Sequence, residues 1–332
     1  MPKILIGLTL LVCLGVGETW LYAANSLGRH MHQQTFGGAS LADFCASSDV
    51  GGFPFRLRMT CSRFSAPVRT AQGDILAKAD EARGEASIFA PNHIVLTLSS
   101  PIVLLRPDGG PLAKLRHDGM TLDIAWTGSG LDKADLDIHA LDWRPEAPEA
   151  GIAFNMQEVR AQEQPLQGDA LHFDLAGDGV TAPLIQQWLQ KSDLGHFTAS
   201  GRITPAPRLT GNWRAAIEDW RQKSGVVAID SFDWRAGDLS LQLDGALALD
   251  DSHRALGKLN FSASGAGPIL ASMGIPVSAA QVQNVIGALL GRPAATSTAG
   301  GGGDRIAMPL VMANGQVSLG PLRLPVVLAP LY

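Results

Sequence analysis

The sequence predicts a mainly β protein (β-rich α+β). We expect an extended, curved antiparallel sheet or groove packed by about three amphipathic helices, after an N-terminal membrane helix. Apolar and polar residues alternate in many short segments, which is the pattern of strands with one apolar face. Apolar residues at helical spacing occur in only a few segments, and one uninterrupted apolar run stands near the start of the chain.

Composition limits the classes of function. The chain has 332 residues, of which 46% are hydrophobic and 17% charged, as is typical of a folded protein. It carries 26 basic and 31 acidic residues, a net charge of −5, and the basic residues form no block. Because binding to phosphate backbones needs clustered Lys and Arg, we expect no nucleic-acid partner.

Residues 1–24 have the pattern of an export signal. Lys3 precedes the uncharged apolar run Ile4–Gly17, and Trp20 and Tyr22 follow it. Extended to residue 24, the segment has about the ~20 residues that span a bilayer, with the two aromatic residues in the interfacial belt. We therefore expect a retained signal anchor. Cleavage as a signal peptide near Gly15–Gly17 is the alternative.

The cysteines report on the compartment. Cys45 and Cys61 are the only cysteines of the chain after the predicted export signal. In an exported protein such a pair is expected to form a disulfide, and a loop of this size contributes ~3 kcal/mol in the chain-entropy model. Two buried thiols are the alternative. Metal ligation is less favoured, because no second Cys or His pair stands at ligand spacing.

The clearest strand pattern is DLSLQLDGALALD, which places five leucines on one face, with Gly245 resetting the alternation between the two sets. The candidate lipid-facing residues are Leu239, Leu241, Leu243, Leu247 and Leu249. MTLDIAWT and LHFDLAG repeat the pattern. In DLDIHALDW the phase slips between Ile138 and Leu141, which suggests a β-bulge.

Three segments have helical spacing: Thr181–Lys191, Asn212–Lys223 and a third that begins at a capping box of Ser278 and Gln281 and ends at Gly291. Residues 293–304, PAATSTAGGGGD, are then expected to be a flexible linker before a final strand pair. The body, residues 25–332, is expected to be a single β-rich extracytoplasmic domain.

Motifs for catalysis are not found in the sequence. The eight histidines show no HExxH or other paired ligand spacing, and no GxSxG or SxxK motif occurs. We therefore predict no catalytic, cofactor-binding or metal-binding residues, no cofactor, and a protein that is not an enzyme. Asp and Glu residues that are distant in sequence can still converge in space as an acid–base pair, and the sequence leaves that alternative open.

The stretches GGFPFRLRMTC, near the start, and PLVMANGQVSLGPLRL, at the end, resemble the family called domain of unknown function 2125. That resemblance implies an uncharacterised, membrane-anchored envelope protein of a Gram-negative bacterium. The segment from Ser231 to Gly265 also resembles the repeating strands of AsmA-type envelope proteins, which implies a β-groove for lipid acyl chains.

These observations predict an inner-membrane protein with a single-pass anchor and a periplasmic C-terminal domain. Its expected function is non-enzymatic: holding or guiding lipid on an apolar sheet face. A structural or assembly factor that binds another envelope protein through a sheet edge is the alternative, and a hydrolase is less favoured. The inner membrane is the expected partner, together with lipid or another envelope protein.

Overall fold

The computed structural model describes residues 20, 35–36, 39–70, 73–128, 130–147, 150–151, 153–166, 169–181, 194–207, 213–265, 306–320 and 322–331. The chain divides into two compact units, Met1–Gly151 (unit 1) and Ile152–Tyr332 (unit 2). Both consist largely of antiparallel strands, so the mainly β class is confirmed. The expectation that residues 25–332 form one domain stays a prediction.

Unit 1 contains ten of the described strands. They are β1 (Thr35–Phe36), β2 (Ala39–Ser40), β3 (Ser47–Gly51), β4 (Arg56–Thr70), β5 (Gly73–Ser87), β6 (Ala90–Leu98), β7 (Ile102–Leu105), β8 (Pro111–Arg116), β9 (Gly119–Thr127) and β10 (Gly130–Pro145). A short 3-10 helix, Leu41–Phe44, precedes β3. Strands β3, β4 and β5 pair in sequence, and β5 then pairs with both β6 and β7 along different parts of its length. On the far side, β10 pairs with β9 and β8 in the same manner.

In unit 1 the alternation of apolar and polar residues shifts by one position, and it does so at the same height along neighbouring strands of the sheet. On β10, Ile138 and Leu141 are both buried although they are three residues apart, and Ala140 between them has a φ of 51°. On β4 and β5, the apolar partners Cys61 and Ala82 are likewise followed by Phe64 and Ala79, three positions further along each strand. The predicted phase slip is therefore present. It is matched in neighbouring strands instead of arising from one extra residue, because β10 keeps one register with β9 and then β8 from Lys133 to Pro145. A register shift does occur in β10, but earlier, between Leu131 and Lys133.

Two short interruptions between strands, from β6 to β7 and from β8 to β9, lie at the same height in the sheet. Serine side chains satisfy backbone groups there: Ser99 Oγ accepts from the Glu81 N–H at 2.8 Å, and Ser100 Oγ accepts from the His117 N–H at 3.0 Å. His117 itself is buried, and neither ring nitrogen has a hydrogen-bond partner among the described residues. Burial lowers the pKa of its imidazole, and the neighbouring Asp118 opposes that effect less strongly.

Unit 2 is an antiparallel meander in which each described strand pairs with the next one along the chain. The strands are β11 (Phe154–Leu166), β12 (Ala170–Val180), β13 (Gly195–Thr204), β14 (Val226–Ala236), β15 (Leu239–Leu249), β16 (Ala255–Ser264), β17 (Ile306–Ala313), β18 (Gln316–Leu319) and β19 (Leu322–Val327). Short turns join β11 to β12, β14 to β15, β15 to β16, and β17 to β18 and β19, which agrees with the Gly- and Asp-rich connections of the sequence. The connections from β12 to β13, from β13 to β14 and from β16 to β17 are longer.

One helix, α1 (Trp213–Gln222), connects β13 to β14. Its buried residues, Ala216 and Trp220, are four positions apart and lie on one face. The Trp220 ring lies against Gly225, where an added Cβ would be 2.2 Å from the indole, so only glycine fits that position. Arg221 of the helix pairs at 2.8 Å with Asp251 in the turn after β15, which ties the helix to that end of the sheet.

The predicted set of three helices is not supported, because the structure describes only one α-helix. That helix matches the prediction for Asn212–Lys223 closely. Thr181, the predicted first residue of another helix, instead forms a β-bridge with Asn155, since the preceding strand β12 continues to Val180. The rest of that segment, the segment from 278 to 291, the linker 293–304 and the N-terminal helix apart from Trp20 lie outside the described residues.

Candidate functional site

The five leucines predicted to share a face lie on β15. Leu241 is paired between Trp234 of β14 and Ala263 of β16, and Leu243 between Phe232 and Phe261. Gly245 does not reset the alternation, because β15 keeps one register with β16 from Ser240 to Leu249. The irregularity lies instead in β14, between Ile229 and Phe232, where the register with β15 shifts.

The leucine row is part of a larger apolar surface that crosses the meander. Following the register from strand to strand places large apolar residues of β12 to β17 on one side of the sheet. We call this set the unit 2 apolar face: Leu171, Phe173, Leu175, Phe197, Ile203, Phe232, Trp234, Leu239, Leu241, Leu243, Leu247, Leu249, Leu259, Phe261, Met308 and Leu310.

Burial on this face is uneven. Leu239 and Leu259 are 5% and 3% exposed, and Leu239 forms a small buried cluster with Ala263. Leu243 and Phe261 beside them are only half-buried, and Leu175 on β12 is 37% exposed. The face therefore combines a narrow packed centre with a wide apolar area that still contacts solvent.

Aromatic rings flatten this surface by lying over glycines of adjacent strands. A Cβ added at Gly177 would be 2.2 Å from the Phe197 ring, and one added at Gly195 would be 2.7 Å from the Trp234 ring. The Phe197 and Trp234 rings are themselves nearly parallel, with centroids 6.1 Å apart and an interplanar angle of 9°. Phe173 covers a third glycine on β13 in the same way. Rings that cover glycine positions along the sheet leave a smooth hydrocarbon surface.

Sequence reasoning missed these ring–glycine pairs. The available signal was a glycine at a position where alternation requires an apolar side chain, as in LHFDLAG and TASG. Which ring covers which glycine depends on the register between strands, and that register is set by contacts distant in sequence.

The opposite surface of unit 2 is polar and internally paired. Asn260 donates to Asp244 at 2.8 Å, and Gln242 donates to Asp233 at 2.8 Å. A depression of about 410 Å³ lies here along β15, β16 and β17. The polar side chains that line it are hydrogen bonded to neighbouring side chains, and the rest of its lining is apolar.

Histidine–carboxylate pairs also occur on this side of unit 2. His196 lies 2.8 Å from Asp178, and His172 lies 2.9 Å from Asp174; the His172 side chain is partly buried and the other three are exposed. Exposed pairs of this kind contribute little to stability and are common on sheet surfaces. They are therefore read as surface ion pairs.

Two groups with a shifted pKa, Asp250 and Arg221, lie at the helix end of unit 2. The Arg254 backbone N–H and side chain hold the pKa of Asp250 below its ordinary value, and Glu218 raises the pKa of Arg221. His253 lies 3.3 Å from Glu218 in the same group. These contacts tie the turn after β15 to α1.

In unit 1 the structure contains the disulfide between Cys45 and Cys61, with 5.3 Å between the Cα atoms. Cys61 is 1% exposed and pairs with Ser48 of β3, so the bond joins the start of β3 to the centre of β4. Between them, Gly52 has a φ of 97°, and a Cβ there would lie 2.8 Å from the Arg56 carbonyl oxygen. Glycine and the disulfide together define this tight reversal.

Among the residues that the structure describes, no helix has both the length and the apolar character to cross a bilayer. The predicted anchor, Ile4–Gly17 and its flanks, lies outside that set apart from Trp20.

Comparison with known proteins gives a family and no further relative. Neither the curated proteins nor the solved structures yielded a match. A family model described as "Uncharacterized protein conserved in bacteria (DUF2125)" matches residues 20–327. That range begins at Trp20 and includes the disulfide, all strands of the apolar face and the final strand β19. Since the match covers nearly the whole chain, the protein belongs to the DUF2125 family of uncharacterised bacterial proteins.

Proposed function

We propose that this protein is a non-enzymatic, membrane-anchored envelope protein that holds lipid acyl chains on the unit 2 apolar face. The observation that carries the proposal is the half-buried state of that face. Leu243 and Phe261 retain exposed apolar area although they lie next to the packed centre, and Leu175, three strands away on β12, is 37% exposed. Apolar areas of this kind mark surfaces that bind another apolar body.

The chemistry of the face favours hydrocarbon over a polar ligand. Its residues are Leu, Ile, Phe, Met and one Trp, so a molecule lying on them has few hydrogen bonds to gain. Covering the remaining exposed area is favourable by ~25 cal/mol per Å² of apolar surface. An extended acyl chain suits a smooth surface that follows several strands, and the resemblance of residues 231–265 to AsmA-type strands supports the same ligand class.

Export supports the choice of lipid and the location. The apolar run Ile4–Gly17, with Trp20 and Tyr22 after it, has the composition of a signal anchor. A disulfide between Cys45 and Cys61 suits an oxidising compartment. We therefore place the body in the periplasm, attached to the inner membrane by a single span, where lipids and lipidated proteins are abundant.

The test compares two charge substitutions on one strand of the full chain. Leu243→Glu places a carboxylate on the apolar face, and Ala246→Glu places one on the opposite, exposed side of β15. Lipids retained per detergent-solubilised protein are counted by native mass spectrometry, and thermal unfolding reports folding. We expect Leu243→Glu to stay folded and to lose lipid that the wild type and Ala246→Glu retain.

Three outcomes contradict the proposal. Equal lipid retention in all three proteins means that lipid associates only with the anchor. Global unfolding of Leu243→Glu means that the face is a sealed core, for instance beneath apolar stripes from outside the described residues. A co-purifying protein in place of lipid supports an assembly factor.

A further inference from the structure

One end of the unit 1 sheet carries exposed aromatic side chains. Phe53 and Phe55 lie in the connection between β3 and β4 and are 59% and 54% exposed, and Phe89, in the turn between β5 and β6, is 75% exposed. Leu131, next to the turn between β9 and β10, adds a fourth exposed apolar side chain. Exposed phenylalanines are costly in water, and their concentration in turns is unusual, since turns favour small and polar residues.

These turns converge in space. The Phe55 and Phe89 rings stack with centroids 6.0 Å apart, and the Ile88 N–H donates to the Phe55 carbonyl at 3.1 Å. The pairing of His93 with Ala125 brings the start of β6 beside the end of β9, and with it the turn that leads to Leu131. We call the set Trp20, Phe53, Phe55, Phe89 and Leu131 the aromatic end of unit 1.

The opposite end of the same sheet differs. The turn between β7 and β8 is polar, with Arg106 lying 3.5 Å from Asp108. Val68, near the turn between β4 and β5, is 42% exposed and stands without an aromatic cluster among the described residues. The two ends of one sheet are thus chemically unlike, which gives unit 1 a direction.

Trp20 connects the aromatic end to the N-terminal segment. Its ring meets Phe53 edge to face with centroids 5.6 Å apart, and its Nε1–H donates to the Arg56 carbonyl oxygen at 2.7 Å. Trp20 follows the apolar run Ile4–Gly17 by three positions, which an extended chain spans in about 10 Å.

From this juxtaposition we propose that the aromatic end of unit 1 inserts into the headgroup–acyl boundary of the membrane that the N-terminal segment enters. The proposal rests on the membrane attachment proposed above and adds to it a defined face of the folded body. A bilayer has a core of ~30 Å within a total of ~40–45 Å, so each interfacial layer is only a few ångströms deep. Trp20 is only three positions from the apolar run, and its ring contacts Phe53. In this proposal the three phenylalanines therefore lie at the depth of that interfacial layer. Aromatic residues are enriched there, and apolar rings gain by leaving water.

The contacts of the cluster also suit this role. The Trp20 indole N–H is already paired with a backbone carbonyl, so its ring can enter an apolar layer without an unpaired donor. Arg56 at the same end is largely exposed and pairs with Glu85, which also binds Arg58. These side chains hold the base of the connection in place while the rings point outward.

The test is photo-crosslinking of the full chain in its own membranes. p-Benzoylphenylalanine is placed at position 89, with position 68 at the opposite end of the sheet as the matched control. After irradiation the protein is extracted, and adducts of phospholipid mass are measured. We expect lipid adducts at position 89 and none above background at position 68. Both positions are exposed, so neither replacement disturbs a packed core.

Failure of this proposal and failure of membrane attachment give different results. If the protein stays in the membrane pellet through alkaline washing but forms no lipid adduct at position 89, the aromatic end of unit 1 does not insert into the membrane. The proposed N-terminal anchor is then still supported. Equal adducts at both positions overturn it as well, as does a single protein adduct in place of lipid. Recovery of the protein in the soluble fraction refutes membrane attachment, and with it the insertion of the aromatic end.

Discussion

Leu239 and Leu243 stand on the same strand and the same face but differ in burial, so truncating each to alanine tests whether the face is partly open. Leu239 is 5% exposed and packs with Ala263, whereas Leu243 is half-buried between Phe232 and Phe261. The sequence assigns the two leucines the same environment, and only the structure distinguishes them.

The expected losses follow from burial. Leu239→Ala removes a buried side chain and leaves a cavity, which costs about 2–5 kcal/mol. Leu243→Ala removes only part of a burial that is worth ~1.5–3 kcal/mol when complete, and because the vacated space opens to solvent, we expect a loss of about 1 kcal/mol. At about 2–4 °C per kcal/mol, the two variants should unfold at clearly different temperatures.

The assay is urea and thermal unfolding of the full chain in a nonionic detergent, followed by tryptophan fluorescence and circular dichroism. Ser240→Ala, on the opposite side of the strand, is the control and should change the free energy of unfolding by less than ~0.5 kcal/mol. Equal losses for Leu239→Ala and Leu243→Ala would refute the reasoning, since they would place Leu243 in a closed core and remove the basis for lipid binding.

Three further predictions concern the disulfide, a buried histidine and topology. Alkylation of the denatured but unreduced protein should leave Cys45 and Cys61 unlabelled, and replacing both by alanine should cost ~3 kcal/mol, measured by urea unfolding; labelling of both without reductant contradicts the bond. Burial lowers the pKa of His117 below its ordinary 6.5, so as pH falls below 6.5 the unfolded chain binds a proton that the folded protein does not. Stability should therefore fall with decreasing pH in that window until the folded-state pKa is reached, and an unchanged slope in His117→Leu would show that another group titrates. A phosphatase fused after Tyr332 should be active in the periplasm, and an inactive fusion would place the C-terminus in the cytoplasm.

Local patterns determined what the sequence could predict. Alternation in DLSLQLDGALALD and MTLDIAWT reflects the period of a strand, and the apolar spacing from 212 to 223 reflects the period of a helix, so both elements were found. The cysteine pair and the strand and turn motifs were sufficient for the disulfide and the family. These features depend on neighbours within a few residues, or on the redox compartment, and need no knowledge of tertiary contacts.

Only the tertiary structure determined how the strands are aligned with one another and which turns come together. Phe197 covers Gly177, and the turns at Phe55 and Phe89 stack, because strands distant in sequence pair in one register. The matched phase change beside Ala140 likewise needs neighbouring strands to change together, which a single strand's pattern cannot show. Alternation states which residues share a face of one strand. How far that face is covered, and which turns meet at its ends, depends on pairing between strands that are distant in sequence. The local alternation of residues does not determine that pairing.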